Sequence, residues 1–178
     1  MKLSEFIPSY SKDVVDLFVK VFSASEGEDE GRIIGKLVSS LIETTATKDL
    51  MGFVAVYNNE VVGCIFFSRL LVPSNQTAFM LSPVAIATNE QGKSIGQKII
   101  NHGLNHLNSI NTDLVFTYGD PNYYSKVGFE PISENVVSAP FKLSQPEGWL
   151  AQSLDGSEIN PMQGSTKCVK AFNDQALW

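Results

Sequence analysis

The sequence is poor in cysteine and in basic residues, and each shortage argues against a class of protein. Its two cysteines, Cys64 and Cys168, form no Cys-x-x-Cys pair, which favours a reduced, cytoplasmic compartment. Thirteen basic and nineteen acidic residues give a net charge of -6, which disfavours nucleic-acid coating and favours cationic partners. No apolar run approaches the roughly 18 residues of a membrane span. Glu5, Pro8 and Ser9 interrupt the first hydrophobic stretch, so no signal peptide is expected.

What the sequence does contain is typical of a globular domain. Of its 178 residues, 43% are hydrophobic and 10% aromatic, which is enough to bury a core without disulfides or metal. Proline and glycine become frequent after Ser133. We therefore predict a core over residues 1–133 and a C-terminal extension over residues 134–178 that packs on the same domain.

The first half of the chain changes from helical to strand periodicity. Apolar residues at helical spacing predict a helix from Ser11 to Phe22 and a second helix after an acidic turn, Glu26 to Gly31. The second helix carries the stripe Ile33, Ile34, Leu37, Val38, Leu41 and Ile42. Two Val-, Ile- and Phe-rich runs joined by Asn58-Asn59 then predict a β-hairpin, because asparagine tolerates positive φ.

The second half alternates strands and helices. A strand from Thr77 to Ile86 contains Pro83, which cannot donate to a ladder, so this strand should be an edge, bulged or splayed there. The following predicted elements are a helix with Ile95 to Leu107, a strand Asp113–Tyr118, a short helix Pro121–Val127, a strand from Phe129, and two further candidate strands, Trp149–Leu154 and Lys167–Phe172. The order α-α-β-β-β-α-β-α-β predicts a mixed sheet.

The stretch from Leu81 to Ile100 is the most informative, because a strand runs through a polar, glycine-containing loop into a helix. Backbone N–H groups and the positive end of a helix dipole then meet at one place, which suits an anion. The plainest interpretation is a turn that needs Gly92 and Gly96 only for backbone geometry. A P-loop, from Ala87 to Gly92-Lys93-Ser94, is a second interpretation, although the first glycine of that signature is replaced by alanine.

A serine-hydrolase nucleophile elbow at Gly92–Gly96 is excluded by the order of the residues. That fold needs an acid and then a histidine after the serine, whereas no acid lies between Ser94 and either His102 or His106, and both histidines lie on the helix that the serine would start. The two histidines also lack the intervening glutamate of a zinc-protease motif. We expect no metal site.

Two motifs together resemble the GNAT superfamily of acyl-CoA-dependent N-acetyltransferases. Gln91 to Gly96, after the strand residues Val84-Ala85-Ile86, looks like the family's Gln/Arg-x-x-Gly-x-Gly/Ala pattern. Tyr124 to Phe129 resembles its Tyr-x-x-x-Gly-Phe stretch, and the likeness extends from about Leu3 to Pro131. It implies an α/β (mixed α+β) fold with a mostly antiparallel central sheet, a parallel splayed pair, and helices on both faces.

The resemblance also implies roles for particular residues. Acetyl-CoA would be the co-substrate, its pyrophosphate held at Gln91, Gly92, Lys93, Ser94, Ile95 and Gly96. Backbone groups of Val84 and Ile86 would pair with the pantetheine arm, a primary amine would attack the thioester directly, and Tyr124 would protonate the departing thiolate. The family places acceptor contacts near the acidic residues Glu26, Glu28, Asp29 and Glu30, which would attract a cationic amine.

Two departures from the pattern keep a second function open. Ser94 stands where the first motif glycine is expected, and a serine costs about 1–2 kcal/mol if that position needs positive φ. Glu90 brings a carboxylate near the expected pyrophosphate. A GNAT-like module that binds acyl-CoA without turnover is therefore an alternative to the enzyme. We expect a small-molecule or peptide amine as partner, no nucleic acid and no membrane, and we leave a homodimer open.

Overall fold

The structure is a computed structural model that describes residues 1–178. Its helices are α1 (Ser11–Glu26), α2 (Glu28–Thr44), α3 (Ile95–Ser109) and α4 (Pro121–Tyr124). Its strands are β1 (Lys2–Glu5), β2 (Leu50–Tyr57), β3 (Glu60–Leu70), β4 (Ala78–Ile86), β5 (Leu114–Tyr118), β6 (Glu130–Pro131) and β7 (Trp149–Ser153). They form a seven-stranded sheet in the order β1-β2-β3-β4-β5-β7-β6, which is mostly antiparallel with β4 and β5 parallel. The predicted fold class is confirmed.

The chain divides into two compact units that do not follow chain order. The first comprises Met1–Phe66 and Pro83–Gly103, and the second Phe67–Ser82 and Leu104–Trp178. The boundary predicted between residues 133 and 134 stays a prediction. None of the helices is long and apolar enough to span a bilayer.

The core of the first unit joins the two N-terminal helices to the sheet. Apolar residues of the helices are fully buried, among them Val14, Phe18, Val38 and Leu41. The Phe18 ring stacks on that of Phe66 in β3, with 6.3 Å between centroids. The period of about 3.6 residues seen in the sequence is thus the period of the buried helix faces.

The acidic turn predicted from Glu26 to Gly31 is wrong. Helix α1 continues through Glu26, and the turn is the single residue Gly27, at φ 103°. Glycine populates this region readily because it has no Cβ. Helix α2 begins at Glu28, so three carboxylates form its first turn, where the positive end of the helix dipole favours them.

The predicted hairpin is confirmed. Strands β2 and β3 are neighbours joined by Asn58 and Asn59, which both have positive φ, at 50° and 64°. Two successive positive φ values are those of a type I′ turn, whose twist matches that of the flanking strands.

In the second unit, β4 pairs in parallel with β5 only from Ala78↔Leu114 to Leu81↔Thr117. Strand β4 lies between β3 and β5, so it is not an edge strand along this stretch. Pro83 comes after the last pair with β5, where its missing N–H interrupts no continuous ladder with that strand. Of the alternatives predicted at Pro83, an edge, a bulge or a splay, the structure shows the splay.

Two further differences concern strands. Strand β1 was not predicted, because its four residues carry no alternating pattern and are recruited by antiparallel pairing with β2, from Lys2↔Val56 to Glu5↔Phe53. The predicted strand Lys167–Phe172 is wrong. Lys167 makes one isolated bridge with Leu71, and the chain then forms a 3-10 turn over Lys170–Phe172. The predicted strand at Trp149 is confirmed as β7.

Candidate active site

The loop between β4 and α3 is anchored at its start by hydrogen bonds to the sheet. The N–H of Ala87 donates to the carbonyl of Val62 over 2.8 Å. The Gln91 side chain turns back, and its Nε2 donates to the carbonyl of Ile86 over 3.1 Å. Gln91 thus holds the end of β4 and the start of the loop together.

The middle of this loop presents unused backbone donors. Gly92 and Ser94 have positive φ, at 76° and 60°. The N–H groups of Gly92, Lys93 and Ser94 pair with no backbone carbonyl of the chain. Helix α3 starts at Ile95, so these donors lie beside the positive end of its dipole. The arrangement suits an anionic group such as a phosphate.

Ser94 has a positive φ, which the sequence could not establish. Its φ of 60° lies in the left-handed region, which costs a residue with a Cβ about 1–2 kcal/mol. Glycine at Gly92 meets no such cost, and a Cβ there would meet nothing within 4 Å. The strain at Ser94 therefore comes from the presence of a Cβ at a positive φ.

The Glu90 carboxylate has a partner within the same loop. The Lys93 Nζ lies 3.0 Å from a Glu90 carboxylate oxygen, and the Glu90 side chain is only 14% exposed. This ion pair offsets the repulsion that Glu90 alone would exert on a nearby anion. It also engages the lysine that a P-loop would use on phosphates.

The end of β4 offers a second surface. After Leu81 the strand has lost β5 as a neighbour, so one backbone edge of the segment that holds Val84 and Ile86 has no partner strand. Val84 is half-buried and Ile86 is buried, so the side chains there are held in place. An open strand edge can accept an extended ligand as though it were another strand.

Tyr124 ends helix α4, whose first turn is capped by Asp120. The Asp120 carboxylate accepts from the N–H of Asn122 over 2.9 Å. The Tyr124 ring packs edge-on against Phe129, with 5.8 Å between centroids. Burial raises the pKa of Tyr124 to about 12. The phenol is therefore protonated throughout the neutral range and can donate.

The four acidic residues do not form one loop. Glu26 is exposed at the end of α1, whereas Glu28, Asp29 and Glu30 are in the first turn of α2. Arg32 pairs with both Glu28 and Asp29, whose side chains are about nine-tenths exposed. Ion pairs this exposed contribute little to stability, so the carboxylates stay available to an outside cation.

Two residues near Tyr124 escaped the sequence analysis. A Cβ on Gly119 would lie 2.7 Å from Cε2 of Tyr124, so the ring needs a glycine there. Thr117 is fully buried in β5, and its hydroxyl donates to the carbonyl oxygen of Leu81 over 2.9 Å. The glycine just after the predicted strand was a signal for a close approach. Nothing local in the sequence singled out the threonine.

The fold is that of an α/β protein in which a splayed strand leads into a loop with open backbone donors. This arrangement suits an anionic ligand. Residues 12–129 match the family model described as Acetyltransferase (GNAT) family. The chain belongs to this family.

Two curated relatives are similar in sequence to this chain over most of its length. The Escherichia coli (strain K12) protein named "Uncharacterized N-acetyltransferase YjhQ" is 26% identical over 175 residues, which are 95% of this chain and 92% of that protein. The E. coli protein named "Uncharacterized N-acetyltransferase YhbS" is 30% identical over 125 residues, or 69% of this chain and 74% of its own.

Solved structures share the fold. The E. coli GNAT family N-acetyltransferase YhbS, in complex with CoA, superposes with a TM-score of 0.81 at 23% identity, over 97% of this chain and 92% of that one. A Brucella melitensis GNAT family acetyltransferase in complex with acetyl-CoA gives a TM-score of 0.71 at 21% identity, over 97% of both chains.

Proposed function

We propose that the protein is an N-acetyltransferase that transfers acetyl from acetyl-CoA to a primary amine by direct attack of the amine. The observation that carries this proposal is the row of unused N–H donors at Gly92, Lys93 and Ser94, directly after the open edge of β4. The CoA and acetyl-CoA present in the two solved relatives support the choice of co-substrate.

The loop and the strand edge bind the co-substrate in this proposal. The backbone donors of Gln91–Gly96, including Ile95 and Gly96 at the start of α3, hold the pyrophosphate. The backbone of Val84 and Ile86 pairs with the pantetheine arm. The residues fit the group, because the donors are free and no side chain fills the space beside Gly92.

Tyr124 supplies a proton in this proposal. Acetyl-CoA brings the activated acetyl group, and the phenol of Tyr124 donates to the thiolate that leaves. Because its pKa is about 12, the phenol keeps its proton at neutral pH until that moment.

For the acceptor we propose a small-molecule or peptide amine of positive charge. The exposed carboxylates Glu26, Glu28 and Asp29, together with the half-buried Glu30, attract such a cation before binding, and the net charge of -6 acts in the same direction. We place the reaction in the cytoplasm, since both cysteines are free thiols.

A non-catalytic acyl-CoA-binding module is the second candidate function. The strained Ser94 favours it, because a residue with a Cβ at positive φ departs from a loop made for tight phosphate binding, whereas the charge of Glu90 is offset by Lys93. The nucleotide-binding alternative is disfavoured by the family membership and by the engagement of Lys93 with Glu90.

One melting experiment separates these functions. We expect acetyl-CoA at about a hundred times its dissociation constant to stabilise the protein by roughly 2.7 kcal/mol, whereas ATP with magnesium should leave the midpoint unchanged. Release of free CoA thiol is then followed with a panel of amines of increasing positive charge. Stabilisation without CoA release from any amine would leave the binding module. A midpoint raised by ATP alone, or by neither ligand, would end the acetyltransferase proposal.

Replacing Ser94 with glycine should relieve the backbone strain in the loop. Relief of the left-handed strain, less the extra flexibility of glycine in the unfolded chain, should stabilise the protein by about 0.5–1 kcal/mol, and acetyl-CoA should bind more tightly. Urea unfolding and a cofactor titration measure the two effects. The matched control is Gly92→Ser, which places the same strain in the same loop and should shift both quantities the opposite way. If Ser94→Gly weakens binding, the serine hydroxyl is itself a phosphate donor.

A further inference from the structure

The peptide that joins Ile86 to Ala87, at the end of β4, points one polar group at β3 and the other away from it. The N–H of Ala87 donates to the carbonyl of Val62 in β3 over 2.8 Å. The carbonyl of Ile86 belongs to the same peptide, and in a planar trans peptide the C=O and the N–H point in opposite directions. The Ile86 carbonyl therefore points to the side on which β4 has no partner strand after Leu81.

The chain returns to this carbonyl after one 3-10 turn. Within the turn, the N–H of Glu90 donates to the carbonyl of Ala87 over 2.8 Å. The next backbone bond, from the N–H of Gln91 to the carbonyl of Thr88, spans 3.5 Å and is therefore weak. The Gln91 side chain makes the closer contact, since its Nε2 donates to the Ile86 carbonyl over 3.1 Å. The side chain thus ties the loop back to the open side of β4.

The other end of the loop is fixed to α3. The N–H of Lys98 donates to the carbonyl of Ser94 over 3.1 Å, which makes Ser94 part of the start of the helix. The unused N–H groups of Gly92, Lys93 and Ser94 thus lie at the helix end of the loop. The bond from Gln91 to the strand is a side-chain contact that holds this end of the loop against β4.

Acetyl-CoA has to use the strand and the loop at once. Its pantetheine arm and its pyrophosphate lie on one covalent chain, so the chain limits the separation between them. Under the proposed function the arm meets Val84 and Ile86, and the pyrophosphate meets the loop donors. A ligand that spans two sites gains from both only when their spacing suits it, and a site that is already ordered saves the cost of ordering on binding.

We propose that the side chain of Gln91 is a positioning residue, which sets the spacing between the open edge of β4 and the N–H donors of the loop for a ligand that spans both. The proposal rests on acetyl-CoA as the ligand under the proposed function, which uses only the backbone of Gln91. The side chain acts on the ligand through its bond to the Ile86 carbonyl, and it does not need to touch the ligand itself.

The test uses Gln91→Met, which keeps a side chain of similar length and removes the donor. NMR titration gives the Kd of acetyl-CoA, of S-acetylpantetheine, which carries only the arm, and of adenosine 3′-phosphate 5′-diphosphate, which carries only the pyrophosphate half. We expect the Kd of acetyl-CoA to rise about three- to tenfold, the value of one hydrogen bond, and the Kd of each half to stay within about twofold. An unchanged Kd for acetyl-CoA would overturn the proposal. An equal rise for either half would refute it too, because the side chain would then serve that half directly.

Gln97→Met is the matched control. Gln97 is half-buried in α3, and the substitution makes the same chemical change six residues further along the chain. The Kd of acetyl-CoA should stay within about twofold in this variant. A rise as large as in Gln91→Met would refute the proposal, because the effect would then belong to α3 as a whole. Absence of acetyl-CoA binding in the unsubstituted protein would end the proposed function together with this proposal, whereas binding that Gln91→Met leaves unchanged ends this proposal alone.

A second readout needs no ligand. Protein labelled with ¹³C at the isoleucine carbonyl carbons gives a signal for Ile86, assigned as the one lost in Ile86→Val. We expect this signal to shift in Gln91→Met, which removes the hydrogen bond that the carbonyl accepts, and to stay in place in Gln97→Met. A signal that Gln91→Met leaves in place would show that the Gln91 side chain does not hold the strand end in the free protein, and the proposal would fall.

Discussion

Replacing Tyr124 with phenylalanine should lower kcat by about 100-fold or more while leaving KM for acetyl-CoA unchanged. A positioned general acid contributes at least about this factor, and phenylalanine keeps the ring contact with Phe129 while removing only the hydroxyl. Steady-state kinetics with the best amine of the panel would measure both constants. A rate like that of the unsubstituted protein would remove Tyr124 from the reaction.

Tyr123→Phe is the matched control for this substitution. Tyr123 lies beside Tyr124 in the same short helix, is partly buried, and also has a pKa raised by burial. Tyr123→Phe removes a phenolic hydroxyl one position from that of Tyr124, so the kcat of this variant should stay within about twofold of that of the unsubstituted protein. If both variants lose activity alike, the effect comes from helix α4 and not from one phenol.

The pH dependence of kcat also tests the acid role of Tyr124. A raised pKa means that the phenol of Tyr124 holds its proton up to about pH 12. As the pH rises, kcat should therefore not fall between about pH 7 and 10 through loss of this proton, since an acid fails only above its own pKa. An alkaline fall in that range that disappears in Tyr124→Phe would contradict the assignment.

Replacing Gly119 with alanine should lower kcat by between about 10-fold and 100-fold, the second largest effect we expect. The new Cβ would lie 2.7 Å from Cε2 of Tyr124, closer than real Cβ contacts allow, so the ring must shift. Displacement of a reacting group by about 1 Å can cost 100-fold in rate. Crowding of this kind should also destabilise the protein by about 1–3 kcal/mol.

Two controls separate these effects. In a Tyr124→Phe protein, Gly119→Ala should leave kcat unchanged while the stability loss in urea remains, because the hydroxyl that the shift displaces is gone. Gly156→Ala, at a glycine with open space around it and φ 76°, reports the stability cost of backbone strain without crowding, for comparison with the crowding at Gly119. Unchanged kcat in Gly119→Ala would mean that the position of the ring is not critical.

Much of the fold could be predicted from the sequence because its signals are local. The stripes that bury Val14 and Leu41 repeat at helical spacing within one helix. Asn58 and Asn59 define their turn by their own tolerance of positive φ. The extent of the turn at Gly27 was predicted wrongly, because acidic residues suit both a loop and the first turn of a helix, and only the helix packing decides between them.

The candidate site divides in the same way. The motif residues Gln91–Gly96 and Tyr124 were predicted from their resemblance to the GNAT motifs, and Gly128 has the positive φ, at 90°, that ends the turn after Tyr124. The strain at Ser94 could be stated only as a condition, because a sequence does not reveal a φ value. The pairing of Lys93 with Glu90 was missed, although their spacing allowed it.

The sequence by itself determined the two motifs, the helices and the hairpin, because each depends on a few consecutive residues or on one residue type. Tertiary structure alone decided that β1 joins the sheet, that β4 parts from β5 after Leu81, and that Thr117 reaches the carbonyl of Leu81. The bond from Thr117 to Leu81 joins residues 36 positions apart. No local pattern encodes such a contact, because parallel strands meet only after the chain between them has folded.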